Sequence, residues 1–245
     1  MKMSREEFLK KSAAVAAGAT VLGSGLGRAI AGETERFVSK GSAAIGGSFA
    51  VDAEWEAAHQ ELIAEFVLPC HFSIEQAGEV LMQDRRLVNA RNYSTDEAGI
   101  EAASHTGRPD IAQWLLGHGA PYTVHCAVMM GHVIAARAFF DVDGSQAGRA
   151  GAHGIPMMYH GALSGNIEMV ELIEARGGGA DYDWALCGAA QLGHADIVEW
   201  LLERTGNPNY QHNGKTPLDF ALRRDDNHAV VELLTAAGAV RGEQE

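Results

Sequence analysis

The stretch CGAAQLGHADIVEWLL, residues 187–202, decides the fold. It places two small residues, Ala189 and Ala190, before two variable positions, and it turns at Gly193. Apolar pairs follow at Ile197/Val198 and Leu201/Leu202. A short helix ending at a glycine, then a second helix returning antiparallel, accounts for this order. Glycine takes the left-handed conformation at little cost. The second helix gathers its apolar residues on one face through the i, i+3, i+4 spacing.

The same grammar recurs on both sides. EAASHTGRPDIAQWLL (101–116), HCAVMMGHVIAARAFF (125–140), YHGALSGNIEMVELIE (159–174) and DFALRRDDNHAVVELL (219–234) set their turn residues at Gly107, Gly131, Gly165 and Asp225. With Gly193 in its place, successive turn residues are 24, 34, 28 and 32 apart, so the connecting hairpins differ in length and some are too short for a β-finger. One helix pair cannot bury its apolar rows alone, whereas stacked pairs bury a continuous core. Upstream, Asp52 is placed to cap a helix carrying Trp55, Leu62, Ile63 and Phe66. Ser73-x-x-Gln76 has the capping-box pattern before a helix holding Val80, Leu81 and Leu87. These features predict a degenerate first unit at 53–90.

These units resemble the ankyrin repeat. Asn213-Gly214-Lys215-Thr216-Pro217-Leu218 through Ala239 is similar to the family's Gly-x-Thr-Pro-Leu…Gly-Ala. Gly131-His132 and Gly193-His194 match its Gly-His, and His125 matches the histidine of its Thr-Pro-Leu-His. The resemblance implies an all-α ankyrin-repeat solenoid of about five to six helix-turn-helix units over residues 52–245, with irregular and partly shortened hairpin loops. It also implies that His125, His132 and His194 bond between adjacent turns. The variable positions of each first helix, and the loops beside them, would line a concave groove. The groove residues expected on this frame are His105, Met129, Met130, His153, Tyr159, His160, Leu163, Gln191, Phe220, Arg223 and Arg224.

Two functions follow. The first is a non-enzymatic binding or scaffold module that grips a protein partner, or a small ligand, in this groove. The alternative is an enzyme in which His105 and His160 work with Asp96 or Glu97, two carboxylates at the start of the first helix of the 91–120 repeat. No HxH, HExxH or Gly-x-Ser-x-Gly pattern is present, so neither a metal nor another cofactor is expected. Cys70, Cys126 and Cys187 are far apart and form no CxxC pair, which fits buried apolar thiols. Gly214-Lys215-Thr216 imitates the end of a phosphate loop, but Asn209 stands where that loop needs its first glycine.

A formal net charge of −13 argues against nucleic acid and anionic membrane surfaces as partners. At the amino end, Lys2, Arg5, Lys10 and Lys11 precede an uncharged run from Ser12 to Leu26, and Ala29-Ile30-Ala31 offers small residues for cleavage. This is a signal-peptide pattern over 1–31, and the run is shorter than the ~20 residues of a spanning helix. Gly/Ser/Ala-rich residues 32–51 read as a linker. Ser4-Arg5-Glu6-Glu7-Phe8-Leu9-Lys10 is similar to the twin-arginine export motif, with Glu6 in place of the second arginine, which leaves the general secretory route open. As a whole the chain resembles exported bacterial ankyrin-repeat proteins with twin-arginine-type signals, on this start and on AASHTGRPDIAQWLL and HGIPMMYHGA. The expected location is periplasmic or secreted, with a cytoplasmic protein as the alternative and no membrane span in the mature chain.

Overall fold

The computed structural model describes residues 51–205 and 207–242. The signal peptide expected at 1–31, and all but the last residue of the linker expected at 32–51, lie outside the described residues. The described chain is an all-α repeat fold and forms two compact units. One comprises the described residues through Ala127 together with His132–Gln146. The other comprises Val128–Gly131 and the described residues from Ala147 onward.

The first unit opens with α1 (Ala53–Ala58) and α2 (Gln60–Val67), a 3-10 turn at Pro69–His71, and α3 (Ile74–Leu81). Asp52 caps α1, accepting from the Trp55 amide at 2.7 Å, as its position predicts. The single helix expected from Trp55 to Phe66 is two, because the backbone leaves helical geometry at His59. Ser73 caps α3 by accepting from the Gln76 amide at 3.2 Å. Leu87, expected on that helix, belongs instead to a separate 3-10 turn, Arg85–Asn89, started by the side chain of Asp84. A two-stranded antiparallel hairpin follows, β1 (Arg91–Asn92) with β2 (Glu97–Ala98), Arg91 opposite Ala98. Then come α4 (Gly99–His105), α5 (Pro109–Gly117), α6 (Val124–Met129), whose last two residues count with the second unit, and α7 (Val133–Val142). Ile63, Phe66, Leu87, Ile100, Ile111, Leu115 and Phe140 fill the core of this unit.

The second unit holds three helix pairs: α8 (Met157–Leu163) with α9 (Ile167–Ala175), α10 (Tyr182–Leu192) with α11 (Ala195–Thr205), and α12 (Pro217–Ala221) with α13 (His228–Ala236). First helices α8, α10 and α12 stack in sequence, and the second helices pack behind them. Met158, Met169, Ile173 and Leu186 are fully buried between these layers. The small residues of the repeat have a steric reason here. A Cβ on Gly188 would lie 2.9 Å from the ring of Tyr159, and one on Gly161 would lie 2.5 Å from Ile173. Thr216 is spent on capping α12 and on a 2.8 Å bond to the Val240 carbonyl, so the Gly-Lys-Thr sequence is a helix start and not a phosphate cradle.

Four of the five expected turn residues take positive φ: Gly107 (67°), Gly131 (69°), Gly165 (66°) and Gly193 (82°). Asp225 does not. Its connection, 222–227, is longer than 164–166 or 193–194, so the chain reverses without a left-handed residue. The shift makes Asn227 the residue that precedes the last second helix, the place held elsewhere by Arg108, His132, Asn166 and His194.

Four of these five residues share a task. Asn166 Nδ2 donates to the Gly131 carbonyl (3.4 Å), His194 Nε2 meets the Leu163 carbonyl (3.2 Å) and Asn227 Nδ2 donates to the Ala190 carbonyl (2.7 Å). Arg108 reaches the Phe72 carbonyl at 2.7 Å in the first unit. Each rung satisfies a carbonyl near the end of the preceding unit's first helix or turn, where helical partners run out. His132 bonds the hydroxyl of Tyr122 (2.6 Å). The three cysteines are buried and free, and burial pushes each thiol up to about 12.

Candidate functional site

Burial divides the expected groove. Tyr159 and Gln191 are half-buried, as are Met130 and His105, whereas His153, Arg223 and Arg224 are exposed. His160 (1% exposed), Met129 (2%), Leu163 (4%) and Phe220 (9%) are not on an open surface, contrary to expectation. The reason is geometric. The second position of every motif (Ala102, Cys126, His160, Gly188 and Phe220) is buried against packed neighbours. Leu163 packs on α10 where Gly188 leaves room, and the Phe220 ring is roofed by the Arg223 guanidinium at 4.4 Å. Met129 is an apolar side chain that gains by leaving water at the end of its helix.

Part of the surface that remains in the second unit is an aromatic row. The Tyr159 ring lies 5.7 Å from Trp184, and Trp184 stacks on His212 at 4.7 Å. All three are half-buried. Arg223 lies close enough to Tyr159 to act on its hydroxyl, although burial dominates and pushes that group up to about 12. Arg224 is held by Asp226 through bonds of 3.1 and 3.0 Å. Trp184 and His212 escaped the repeat frame because they lie outside the variable positions of the motif; Trp184 sits in the first turn of α10 and His212 in the loop before α12.

A second constellation lies in the first unit. His71 ends the 3-10 turn that Pro69 begins, Glu97 sits in β2, and His105 ends α4. The hairpin is fixed on α1 and α2. Glu56 accepts from the Arg91 amide (2.8 Å) and the Tyr93 hydroxyl (2.8 Å), and Gln60 donates to the Arg91 carbonyl (3.2 Å). Gly99 allows the start of α4 to close on the turn, since a Cβ there would lie 2.9 Å from Cys70 Sγ. Asp96, in the turn before β2 at a left-handed φ of 51°, is exposed on Arg91, whereas Glu97, the first residue of β2, is buried. Contrary to the expectation from sequence, neither carboxylate starts a helix; both belong to the hairpin.

The result is a buried carboxylate between two imidazoles. Glu97 Oε1 lies 2.6 Å from His105 Nε2 and its Oε2 lies 3.4 Å from His71 Nε2. The Glu97 side chain is 1% exposed, His105 13% and His71 25%. Burial alone would raise the Glu97 carboxyl, but the bonds from His105 and His71 outweigh it and hold the group at about 2. Burial would lower His71, and the bond to Glu97 outweighs it and raises the imidazole. A carboxylate held so low is a weak proton acceptor at neutral pH, and Cys70 beside it donates to the Phe66 carbonyl (3.2 Å) as a protonated thiol. The chemistry on offer is a fixed negative charge and nitrogen donors, not a strong base. His160, the other half of the expected acid–base pair, is in the core of the second unit. His71 was missed because Cα positions 26 and 34 residues away carry its partners, a spacing with no local motif.

Residues 157–241 match the family of ankyrin repeats (3 copies), a span that holds the three helix pairs of the second unit. No curated protein matches the chain.

Proposed function

From the premise that residues 157–241 are ankyrin repeats, we propose that this chain is an exported, non-enzymatic module that binds a protein partner along the Tyr159–Trp184–His212 row. Ankyrin repeats generally mediate protein–protein binding. The single observation that carries the reading is that row, three rings in ring-to-ring contact and only partly covered. Aromatic and arginine side chains dominate binding energy at protein interfaces, and Arg223 is exposed next to the row. The net charge of −13 favours a protein over a nucleic acid. Export rests on the signal-peptide pattern of residues 1–31. Among the described residues no helix is long and apolar enough to cross a membrane.

The test is site-specific photo-crosslinking in the producing cells. A crosslinker at half-buried Gln191, two turns beyond Trp184 on the same face of α10, is expected to trap one discrete protein, and one at exposed Glu171 on α9 is expected to trap none. Trp184→Ala should cut the crosslinked yield roughly tenfold, the loss of one interface anchor. Equal labelling from both positions, or a yield indifferent to Trp184, would sink the proposal.

A further inference from the structure

We propose that His71, Glu97 and His105 form a binding site for a divalent first-row transition metal ion, zinc being the best-matched probe. The donor atoms of the three side chains all lie within 4.8 Å of one another. Two imidazole nitrogens and a carboxylate are the donor set of a three-ligand zinc site, which leaves one position for water or another ligand. Bonds of about 2.0–2.1 Å in tetrahedral geometry put ligand atoms about 3.3 Å apart. The His71–Glu97 separation of 3.4 Å already has that value, and His105 has only to move back from its 2.6 Å hydrogen bond.

The orientation of His71 is the independent observation. Its Nδ1 faces two backbone carbonyls, Val67 at 3.2 Å and Leu68 at 3.0 Å. Carbonyls only accept, so Nδ1 carries the hydrogen. The remaining nitrogen, Nε2, presents to the carboxylate either a second proton or, in the neutral ring, a lone pair. A lone pair aimed at a buried carboxylate needs a cation between them. A metal-ligating histidine typically donates its other ring N–H to a carbonyl in just this manner, which fixes tautomer and direction. The two histidines are partly exposed while the carboxylate is not, so an ion has an approach from solvent to a buried charge. A bound ion would tie the 3-10 turn to the hairpin and to the far end of α4, which follows the hairpin in the chain. This inference is independent of partner binding by the second unit.

The experiment is calorimetric titration of zinc chloride into the untagged, chelator-stripped full chain, with cobalt(II) absorption as a second readout. One equivalent is expected to bind, with a tetrahedral cobalt spectrum. His71→Ala and His105→Ala should each weaken zinc at least tenfold, while His118→Ala, at an exposed histidine of the same unit, should leave it unchanged. Circular dichroism establishes that each variant is folded; if one is not, the other histidine variant and His71→Gln decide. No saturable zinc binding, or binding that survives both histidine substitutions, overturns the proposal and leaves the cluster as a buried hydrogen-bonded ion pair only.

Discussion

The three helix pairs of residues 157–236 and the segment from Ala53 to Arg108 spend their polar groups differently. In the regular pairs, the side chain that precedes a second helix, half-buried Asn166 or His194 or buried Asn227, is neutral and short and reaches one backbone carbonyl of the preceding pair or turn. In the irregular segment the corresponding reach is made by a long cation, Arg108 on Phe72. The buried polar centre there is a charged one, Glu97 between two imidazoles. Repetition needs a rung that any neighbour can accept. Charge clusters need partners brought from three different local structures, so they appear where the repeat has been abandoned.

The sharpest break of this comparison is at a turn. Gly165→Ala places a Cβ 2.7 Å from the His194 ring at a φ of 66°, so it strains the backbone and displaces the rung at once. The expected loss is about 2–4 kcal/mol in a urea melt followed by tryptophan fluorescence. Asn227→Ala comes next. It leaves the Ala190 and Ala221 carbonyls without their side-chain donor, and it is expected to cost about 2 kcal/mol.

The third prediction concerns pH. Burial lowers the His194 imidazole, so the unfolded chain binds more protons than the folded one in the interval below its ordinary 6.5. Stability from a neutral His194 is therefore complete above pH 6.5 and is lost as pH falls through that value toward the depressed one. His194→Asn copies the rungs at 166 and 227 and should make stability fall less between pH 7.5 and pH 5.5 than it does in wild type. An equal fall in both proteins would mean that this rung does not sense acid. The smallest effect is expected at Asp225, which is exposed and lacks the left-handed φ of its glycine counterparts. Asp225→Gly should change stability by only about 0.5 kcal/mol, where a consensus argument from the other turns would expect a gain.

Sequence reading reached the helix pairs, their turn glycines and the caps at Asp52 and Ser73, because these are local. It misplaced the last connection, since Asp225 aligns with glycines only if the loop has their length. It placed His160, Met129, Leu163 and Phe220 on an open face because a generic repeat leaves the second and fifth positions variable. Here α8 and α10 approach so closely at Gly188 that Leu163 is covered, while His105 and Gln191, at the same fifth position, are only half-buried and Arg223 is exposed. Glu97 was named beside His105, but its place in a strand was not legible: two residues give too short a period to separate it from a helix start. His71 carried no signal at all, as nothing local relates it to residues 97 and 105.

Asn227 has one further consequence. Its amide nitrogen holds both Ala190, in the neighbouring pair, and Ala221, in its own. Among the described residues this pair packs on one neighbouring pair, and a pair held on one side is where an array of this kind peels first. With one side chain gripping both α12 and the pair before it, detachment cannot proceed helix by helix while that grip lasts. The backbone amides of α12 and α13 should then exchange with deuterium at a common rate, as one hinged leaf that opens or stays shut.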